Sequence, residues 1–195
     1  MSDTTLIDAK AGLRREVLAR RDALPAELRQ VAAETIARRE FPLDVRPGVL
    51  VSGFSSIGSE MNPLPLMRRL AERGARLALP VVIGRGRPLA LRAWAFGEPL
   101  DKGQWGIREP RSDAPEVDPD IVLAPLAAFD RTGHRIGYGA GYYDLTLAGL
   151  RARKRIVAVG LAYAAQEIAA VPATARDERL DLVLTEREII DCRKA

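Results

Sequence analysis

The stretch from Arg135 to Asp144, which reads Arg-Ile-Gly-Tyr-Gly-Ala-Gly-Tyr-Tyr-Asp, decides how the rest of this chain is interpreted. An apolar run at 121–129 and a turn at 130–133 precede it, and a helix-like segment at 142–151 follows it. A strand that passes through a glycine-rich loop into a helix is typical of α/β proteins. We therefore expect an α/β fold in which this stretch is the functional loop.

The glycines of this loop suit an anionic ligand. They occupy alternate positions, so the backbone can adopt positive φ and a ligand can approach the main chain. N–H groups beside a helix N-terminus bind anions such as phosphate, Arg135 adds a fork of donors, and Asp144 adds a carboxylate that suits magnesium. For the glycines alone, a tight turn without a ligand is equally consistent. The spacing matches neither the Rossmann pattern nor a P-loop.

The composition is that of a globular protein with a substantial core, because 47% of the 195 residues are hydrophobic and 29% are charged. We expect one domain spanning residues 1–195. No apolar run approaches the roughly 20 residues that cross a bilayer, and the first five residues lack the pattern of a signal peptide. Cys192 is the only cysteine. These features predict a cytoplasmic protein without a membrane partner.

The formal net charge of +4 is compatible with two classes of partner. The basic residues are scattered and form no stripe with aromatic residues, so we favour an anionic small-molecule substrate over a nucleic acid. His134 is the only histidine, and it lies in a turn. The sequence therefore lacks the residues for Ser-His-Asp or Cys-His catalysis. We expect a monomer that acts on a small molecule.

Hydrophobic periodicity alternates between strand and helix along the chain. The pattern predicts helices at 6–22, 26–39, 63–74 and 142–151, with a short helix at 166–170 and a turn or helix at 185–190. Strands are predicted at 49–54, 76–82, 89–96, 120–129, 155–161 and 181–184, and loops at 103–110 and 111–119. This order predicts a mostly parallel central sheet flanked by helices on both faces, a three-layer αβα arrangement with an N-terminal helical segment.

Four residues outside the glycine loop have both structural and functional interpretations. Lys10 and Arg14 are four apart and share a helix face, where solvated charges are the simpler reading. Glu60 lies just past a strand end, where ligands bind in parallel sheets. Trp105, between two glycines, is either a core residue or a wall for a flat heterocycle.

Together with the preceding Ala-Pro-Leu-Ala-Ala-Phe-Asp of residues 124–130, the loop resembles the signature of the 5-formyltetrahydrofolate cyclo-ligase family. Four more segments resemble family motifs in matching order: Lys10–Arg14, Gly58–Glu60, Gly103–Pro110 and Leu180–Val183. Two places depart from the family pattern. Ala140 stands where the family often has lysine or glycine, and Met61-Asn62-Pro63 stands where many members place a threonine.

The resemblance implies a role for each motif residue. ATP is bound by Lys10, Arg14, Arg135, Ile136, Gly137, Tyr138, Gly139, Ala140, Gly141, Tyr142 and Tyr143, and Arg135 is also catalytic. The folate substrate is bound by Ser55, Glu60, Trp105, Tyr138 and Tyr142. Magnesium is bound by Asp144 and Asp181. Because Asp181 opens the last predicted strand, it can reach that ion only if the strand runs antiparallel to its neighbours.

The implied activity is the ATP- and magnesium-dependent cyclisation of 5-formyltetrahydrofolate to 5,10-methenyltetrahydrofolate, with ADP and phosphate as products, through a phosphorylated formyl group. For such a reaction the protein has to position the substrates and neutralise charge on the phosphates, and it needs no nucleophilic side chain. Three alternatives stay open: a nucleotide-binding regulatory module, a basic nucleic-acid-binding protein, and a paralogue that acts on another folate-like amide.

Overall fold

The computed structural model describes residues 3–194, without the side chains of residues 3–5 and 105. Its α-helices are α1 (Asp3–Asp22), α2 (Ala26–Arg38), α3 (Leu64–Glu72) and α4 (Tyr142–Arg151). Its strands are β1 (Leu50–Ser52), β2 (Arg76–Val81), β3 (Ala90–Ala93), β4 (Leu100–Lys102), β5 (Arg108–Pro110), β6 (Ile121–Pro125), β7 (Ala128–Phe129), β8 (Arg135–Ile136), β9 (Val157–Leu161), β10 (Leu182–Leu184) and β11 (Ile189–Asp191).

The central sheet has seven strands in the order β11-β10-β9-β6-β1-β2-β3. The five inner strands pair in parallel, and the edge strands β3 and β11 each pair antiparallel with their neighbour. The predicted α/β class with a mostly parallel sheet is therefore confirmed. Two small two-stranded sheets, β4-β5 and β7-β8, lie beside it.

Both faces of the sheet are buried, as strands with continuous apolar runs require. On one face, Ile121 and Leu123 of β6 belong to the same cluster as the apolar sides of α2 and α3. On the other face, Val122 and Ala124 belong to the cluster that contains Leu147 of α4. Because successive side chains of a strand point to opposite faces, one strand contributes to both clusters. This confirms the three-layer arrangement.

Four local predictions were wrong, wholly or in part. The loop predicted for 103–110 extends only over 103–107, which contain a 3₁₀ turn at Gln104–Gly106, because residues 108–110 form β5 and pair with β4. The turn or helix predicted for 185–190 is a turn only over 185–188, because β11 begins at Ile189 and closes the sheet edge. The short helix of 166–170 is instead a 3₁₀ turn at Ala164–Gln166. The last predicted strand, β10, pairs parallel with β9 and antiparallel only with β11.

Candidate active site

The glycine loop leaves its main chain accessible to a ligand. Gly139 and Gly141 have φ angles of +98° and +70°, a region that residues with a side chain rarely adopt. Gly141 is the N-cap of α4, and among the described residues no side chain caps this helix. The amides of its first turn carry the positive end of the helix dipole. The loop therefore has the donors that a phosphate group needs.

Arg135 and Asp144 form the polar base of this loop. Their side chains pair at 2.7 Å between Nη2 and Oδ1, and only 4% of the Arg135 side chain is exposed. Arg135 also donates to the carbonyl of Glu178, while the Glu178 amide donates to Asp144 Oδ1 at 3.1 Å. Since the pair is tied to the segment around Glu178, the loop has a fixed position. Asp144 also lines the cavity beside the loop.

The first helix brings two predicted cations to the same loop. Arg14 Nε donates to the Gly137 carbonyl at 2.7 Å, and its guanidinium lies 3.7 Å from where a Cβ at Gly139 would stand. Lys10 Nζ is 2.8 Å from both oxygens of Asp177. Neither residue is one of the solvated surface charges that their spacing alone suggested.

A cavity of about 350 Å³ opens beside the loop, at the carboxyl edge of the sheet. Parallel sheets bind ligands at this edge. Residues that follow β1, β2 and β6 form one part of its wall, and the loop forms the other. Its lining is Phe54, Ser55, Ile57, Glu60, Pro80, Val82, Leu89, Ile107, Glu109, Pro125, Arg135, Gly137, Tyr138, Ala140, Gly141, Tyr142, Tyr143 and Asp144. A larger groove along β3, of about 650 Å³, is lined by none of the predicted site residues among those described.

Glu60 places a buried carboxylate in this cavity. Only 7% of the residue is exposed, and Oε2 accepts the Ile57 amide at 2.8 Å. Burial raises the pKa of the Glu60 carboxyl, while hydrogen bonding from Tyr138 and Ile57 and the charge of Arg21 act in the opposite direction. A carboxylate in this position can accept hydrogen bonds from the N–H donors of a heterocycle.

Arg21 is a site residue that the sequence interpretation missed. It is 5% exposed, and its guanidinium donates to the Tyr138 hydroxyl at 2.5 Å and to Ser59 Oγ at 2.9 Å. Ser59 in turn donates to Asp22. The guanidinium therefore connects the end of α1 to both walls of the cavity. No sequence signal separates Arg21 from the exposed arginines of the same helix.

Most of the other predicted residues lie at the cavity, with one placed elsewhere. Ser55, Ala140, Tyr142 and Tyr143 line it, and Ser55 Oγ donates to the Arg108 carbonyl at 2.6 Å. Ile136 packs instead in the cluster with Val17, Ala128 and Val171, so only its backbone belongs to the loop. The Trp105 side chain lies outside the described residues.

The structure does not bring Asp181 to Asp144. Asp181 precedes β10, which runs parallel to β9, so it lies at the amino edge of the sheet, opposite the cavity. Its Oδ2 accepts the Ala158 amide at 2.7 Å and Arg151 Nη2 at 3.0 Å, at the far end of α4 from Asp144. The residue of this region that does contact Asp144 is Glu178, through its backbone amide.

The two departures from the family pattern also have definite places. Ala140 lies on the cavity wall, where its methyl group adds no charge. Met61 is 2% exposed and belongs to the core cluster of α2 and α3. The Met61 substitution therefore fills the core rather than altering the cavity surface.

The chain is similar to known proteins over most of its length. Residues 7–186 match the model of the 5-formyltetrahydrofolate cyclo-ligase family. A 5-formyltetrahydrofolate cyclo-ligase of Escherichia coli is 32% identical over 179 residues, which are 87% of this chain and 96% of the relative. One of Mycolicibacterium smegmatis is 35% identical over 159 residues, covering 77% of this chain and 81% of the relative.

Solved structures agree with this assignment. The NMR structure of Aquifex aeolicus 5,10-methenyltetrahydrofolate synthetase is 29% identical with a TM-score of 0.78, over 95% of this chain and 94% of that one. A synthetase from Mycoplasma pneumoniae, at 21% identity and a TM-score of 0.69, shares the fold over 91% of this chain and 98% of its own. The chain therefore belongs to the 5-formyltetrahydrofolate cyclo-ligase family.

Proposed function

We propose that this protein is a ligase that converts 5-formyltetrahydrofolate and ATP to 5,10-methenyltetrahydrofolate, ADP and phosphate. The observation that carries the proposal is one cavity bounded by a phosphate-suited glycine loop and by the buried carboxylate of Glu60. A regulatory nucleotide-binding module would need the loop alone. Family membership and a second ligand wall together favour the enzyme.

The chemistry explains why the site holds donors and cations rather than a nucleophile. The formyl oxygen is a poor leaving group, so it is phosphorylated before ring closure. The substrate's own N10 nitrogen then attacks the activated carbon, and phosphate departs. The protein has only to hold the two substrates in line and to neutralise charge on the phosphates.

We assign the phosphates of ATP to the glycine loop. The positive φ of Gly139 and Gly141 and the uncapped first turn of α4 support this assignment. Arg135 and Arg14 converge on the loop from opposite sides and would neutralise the charge that develops during transfer. Lys10 would join them by leaving Asp177 for a phosphate oxygen.

We assign magnesium to Asp144, whose carboxylate lines the cavity beside the loop. Bound there, the ion would neutralise phosphate charge and take its remaining ligands from water and phosphate oxygens. The placement of Asp181 gives no support to the second predicted ligand. Asp177 precedes Glu178, whose amide contacts Asp144, and we propose it as the second carboxylate near the ion.

We assign the pterin ring of folate to Glu60, with Tyr138, Tyr142 and Ser55 as neighbouring contacts. Pterin carries amino and ring N–H donors that a buried carboxylate can accept. Arg21 would fix the positions of Glu60 and Tyr138 relative to each other, through its hydrogen bond to Tyr138 and its charge near Glu60.

Near-ultraviolet absorbance tests the proposal directly. Purified protein with ATP, magnesium and 5-formyltetrahydrofolate should generate the methenyl chromophore, with one ADP formed for each product. Omission of ATP or magnesium should abolish both signals. A preparation that forms neither product nor ADP at high enzyme concentration would overturn the proposal.

We also propose a cytoplasmic monomer with one domain spanning residues 1–195. The single central sheet, to which strands from 50 to 191 contribute, supports the single domain. Among the described helices, none has the length and apolar character that a bilayer crossing requires. Light scattering of the purified protein tests the monomer.

A further inference from the structure

Glu109 is a second buried carboxylate in the same cavity, and the assignments above give it no role. It is 7% exposed and lines the same cavity as Glu60, where β5 meets the end of β2. Its Oε1 accepts the Val82 amide at 3.2 Å. Among the described residues, no ion pair involves Glu109. Burial of a carboxylate without a neighbouring cation is costly, so its presence in the cavity wall calls for an explanation.

The hairpin β4-β5 is shaped around this carboxylate. A Cβ added to Gly103 would stand 2.0 Å from Glu109 Oε2, so the glycine leaves the space that the carboxylate occupies. Gly103 has a φ of −80°, which any residue can adopt. Its conformation therefore does not require glycine, and the close approach of Glu109 is the reason for it. The Gly103 amide closes the turn by donating to the Ile107 carbonyl at 2.8 Å.

Ring closure in the proposed reaction releases a proton that needs an acceptor. The N10 lone pair forms a bond to the activated formyl carbon. The N10–H bond then breaks, and the carbon–oxygen bond to phosphate breaks with its electron pair leaving on phosphate. The product is the methenyl cation, with inorganic phosphate and one proton released. A positioned carboxylate that takes such a proton contributes about 10²–10⁴-fold to the rate.

We propose that Glu109 is the general base that accepts the N10 proton, an inference that rests on the proposed function. Glu60 is less suited to this step, because Tyr138 and Ile57 direct hydrogen bonds to it and Arg21 adds a positive charge. Among the described residues, Glu109 accepts one hydrogen bond, from the Val82 amide to Oε1, and none on Oε2. Because Glu109 also lines the cavity, we assign the proton to Oε2. In this assignment, Glu60 binds the pterin ring and Glu109 accepts the N10 proton.

The first test is Glu109→Gln, which keeps the shape and the acceptor for the Val82 amide but cannot take a proton. We expect kcat to fall by about 10²–10⁴-fold while the KM values for folate and ATP change by less than about tenfold. Glu109→Asp should recover part of the loss, since it restores a base at greater distance. Unchanged kcat, or a rise in folate KM alone, would overturn the inference.

A transient-state measurement separates this role from a structural one. When Glu109→Gln enzyme is mixed with ATP and substrate, rapid quenching should detect ADP on the enzyme. Stopped-flow absorbance in the same time range should detect little methenyl product. If a folded variant forms neither, Glu109 acts before or during phosphoryl transfer and the assignment fails.

Two further variants complete the design. Glu98→Gln is the matched control, because Glu98 Oε2 also accepts a backbone amide, that of Ala95 at 2.9 Å, but lies outside this cavity. It should keep the parent rate. Gly103→Ala keeps every polar group and displaces the Glu109 carboxylate, so it should reproduce the kcat defect. An inactive parent enzyme would overturn the proposed function, whereas an active parent with a fully active Glu109→Gln overturns only this inference.

Discussion

The Arg21 guanidinium and the Tyr138 hydroxyl are joined by a hydrogen bond of 2.5 Å, across 117 positions of sequence. The bond connects the end of α1 to the glycine loop. The same guanidinium reaches Ser59, beside Glu60, at 2.9 Å. One buried cation therefore sets the distance between the wall assigned to the pterin and the loop assigned to phosphate.

Arg21→Met should weaken folate binding more than it weakens ATP binding. The change removes hydrogen bonds from a charged donor, each of which contributes roughly 1.5–3 kcal/mol, so the KM for folate should rise by about ten- to a hundredfold. Arg20→Met is the control, since the Arg20 side chain is 43% exposed and pairs only with Glu16 among the described residues. Steady-state kinetics should separate the two variants. If both behave alike, Arg21 does not position the site.

Gly139→Val should abolish tight ATP binding in a protein that still folds. A β-branched residue at a φ of +98° is strained, and its Cβ would stand 3.7 Å from Arg14, where the phosphate donors converge. Calorimetry should show ATP affinity reduced by more than about tenfold, because charge-assisted hydrogen bonds are lost. Gly97→Val imposes a similar φ of +97° in a remote open turn and should bind ATP normally. Unchanged ATP affinity in folded Gly139→Val would show that the loop does not hold phosphate.

Glu60→Gln should weaken folate binding by about ten- to a hundredfold and leave ATP affinity nearly unchanged. The substitution keeps the shape of the side chain but removes its charge and one acceptor. Equilibrium titration with each ligand gives the two dissociation constants. A larger loss for ATP than for folate would contradict the assignment of Glu60 to the pterin.

The raised pKa of Glu60 also predicts a dependence of stability on pH. In the window between the unfolded and folded pKa values, the folded protein holds a proton that the unfolded chain has released. The contribution of Glu60 to the free energy of unfolding therefore falls as pH rises through this window. Relative to the parent, Glu60→Gln should gain stability above the window and gain none below it. Urea unfolding at about pH 4 and about pH 8 measures both differences, and a pH-independent difference would refute the prediction.

Magnesium titrations of activity distinguish the three carboxylates near α4. Asp144→Asn should need much more metal, and Asp177→Asn should share that phenotype if its segment completes the site. Asp181→Asn should titrate like the parent but unfold more easily, because the amide oxygen that replaces Oδ2 carries no charge and so weakens the bonds from Arg151 and the Ala158 amide, at a cost of about 1–3 kcal/mol. If Asp181→Asn alone lost metal affinity, Asp181 would be a magnesium ligand, as the family resemblance implied.

Local sequence was enough to predict the glycine loop and its partners within the same segment. Arg135 and Asp144 are nine positions apart on either side of the loop, and the closure of the loop alone brings them together. The alternation of strand and helix likewise predicted the sheet and its layers. In each case the signal lies within one supersecondary unit, where spacing along the chain reflects spacing in the structure.

Asp181 shows where this reasoning failed. Its motif predicted a position beside Asp144, but the direction of β10 placed it at the opposite edge of the sheet. β10 continues the parallel set beside β9, and the antiparallel edge position that was expected for it belongs to β11, a strand that the local pattern did not predict.

The sequence by itself determined the α/β class, the phosphate-suited loop and the position of Glu60 past a strand end, because glycine spacing and strand-end position carry that information. Only the tertiary structure decided that Arg21 joins both walls of the cavity, that Lys10 meets Asp177, and that Gly103 makes room for Glu109. These contacts depend on how α1 and the β4-β5 hairpin pack around the cavity. In sequence, a buried arginine or glutamate looks the same as an exposed one.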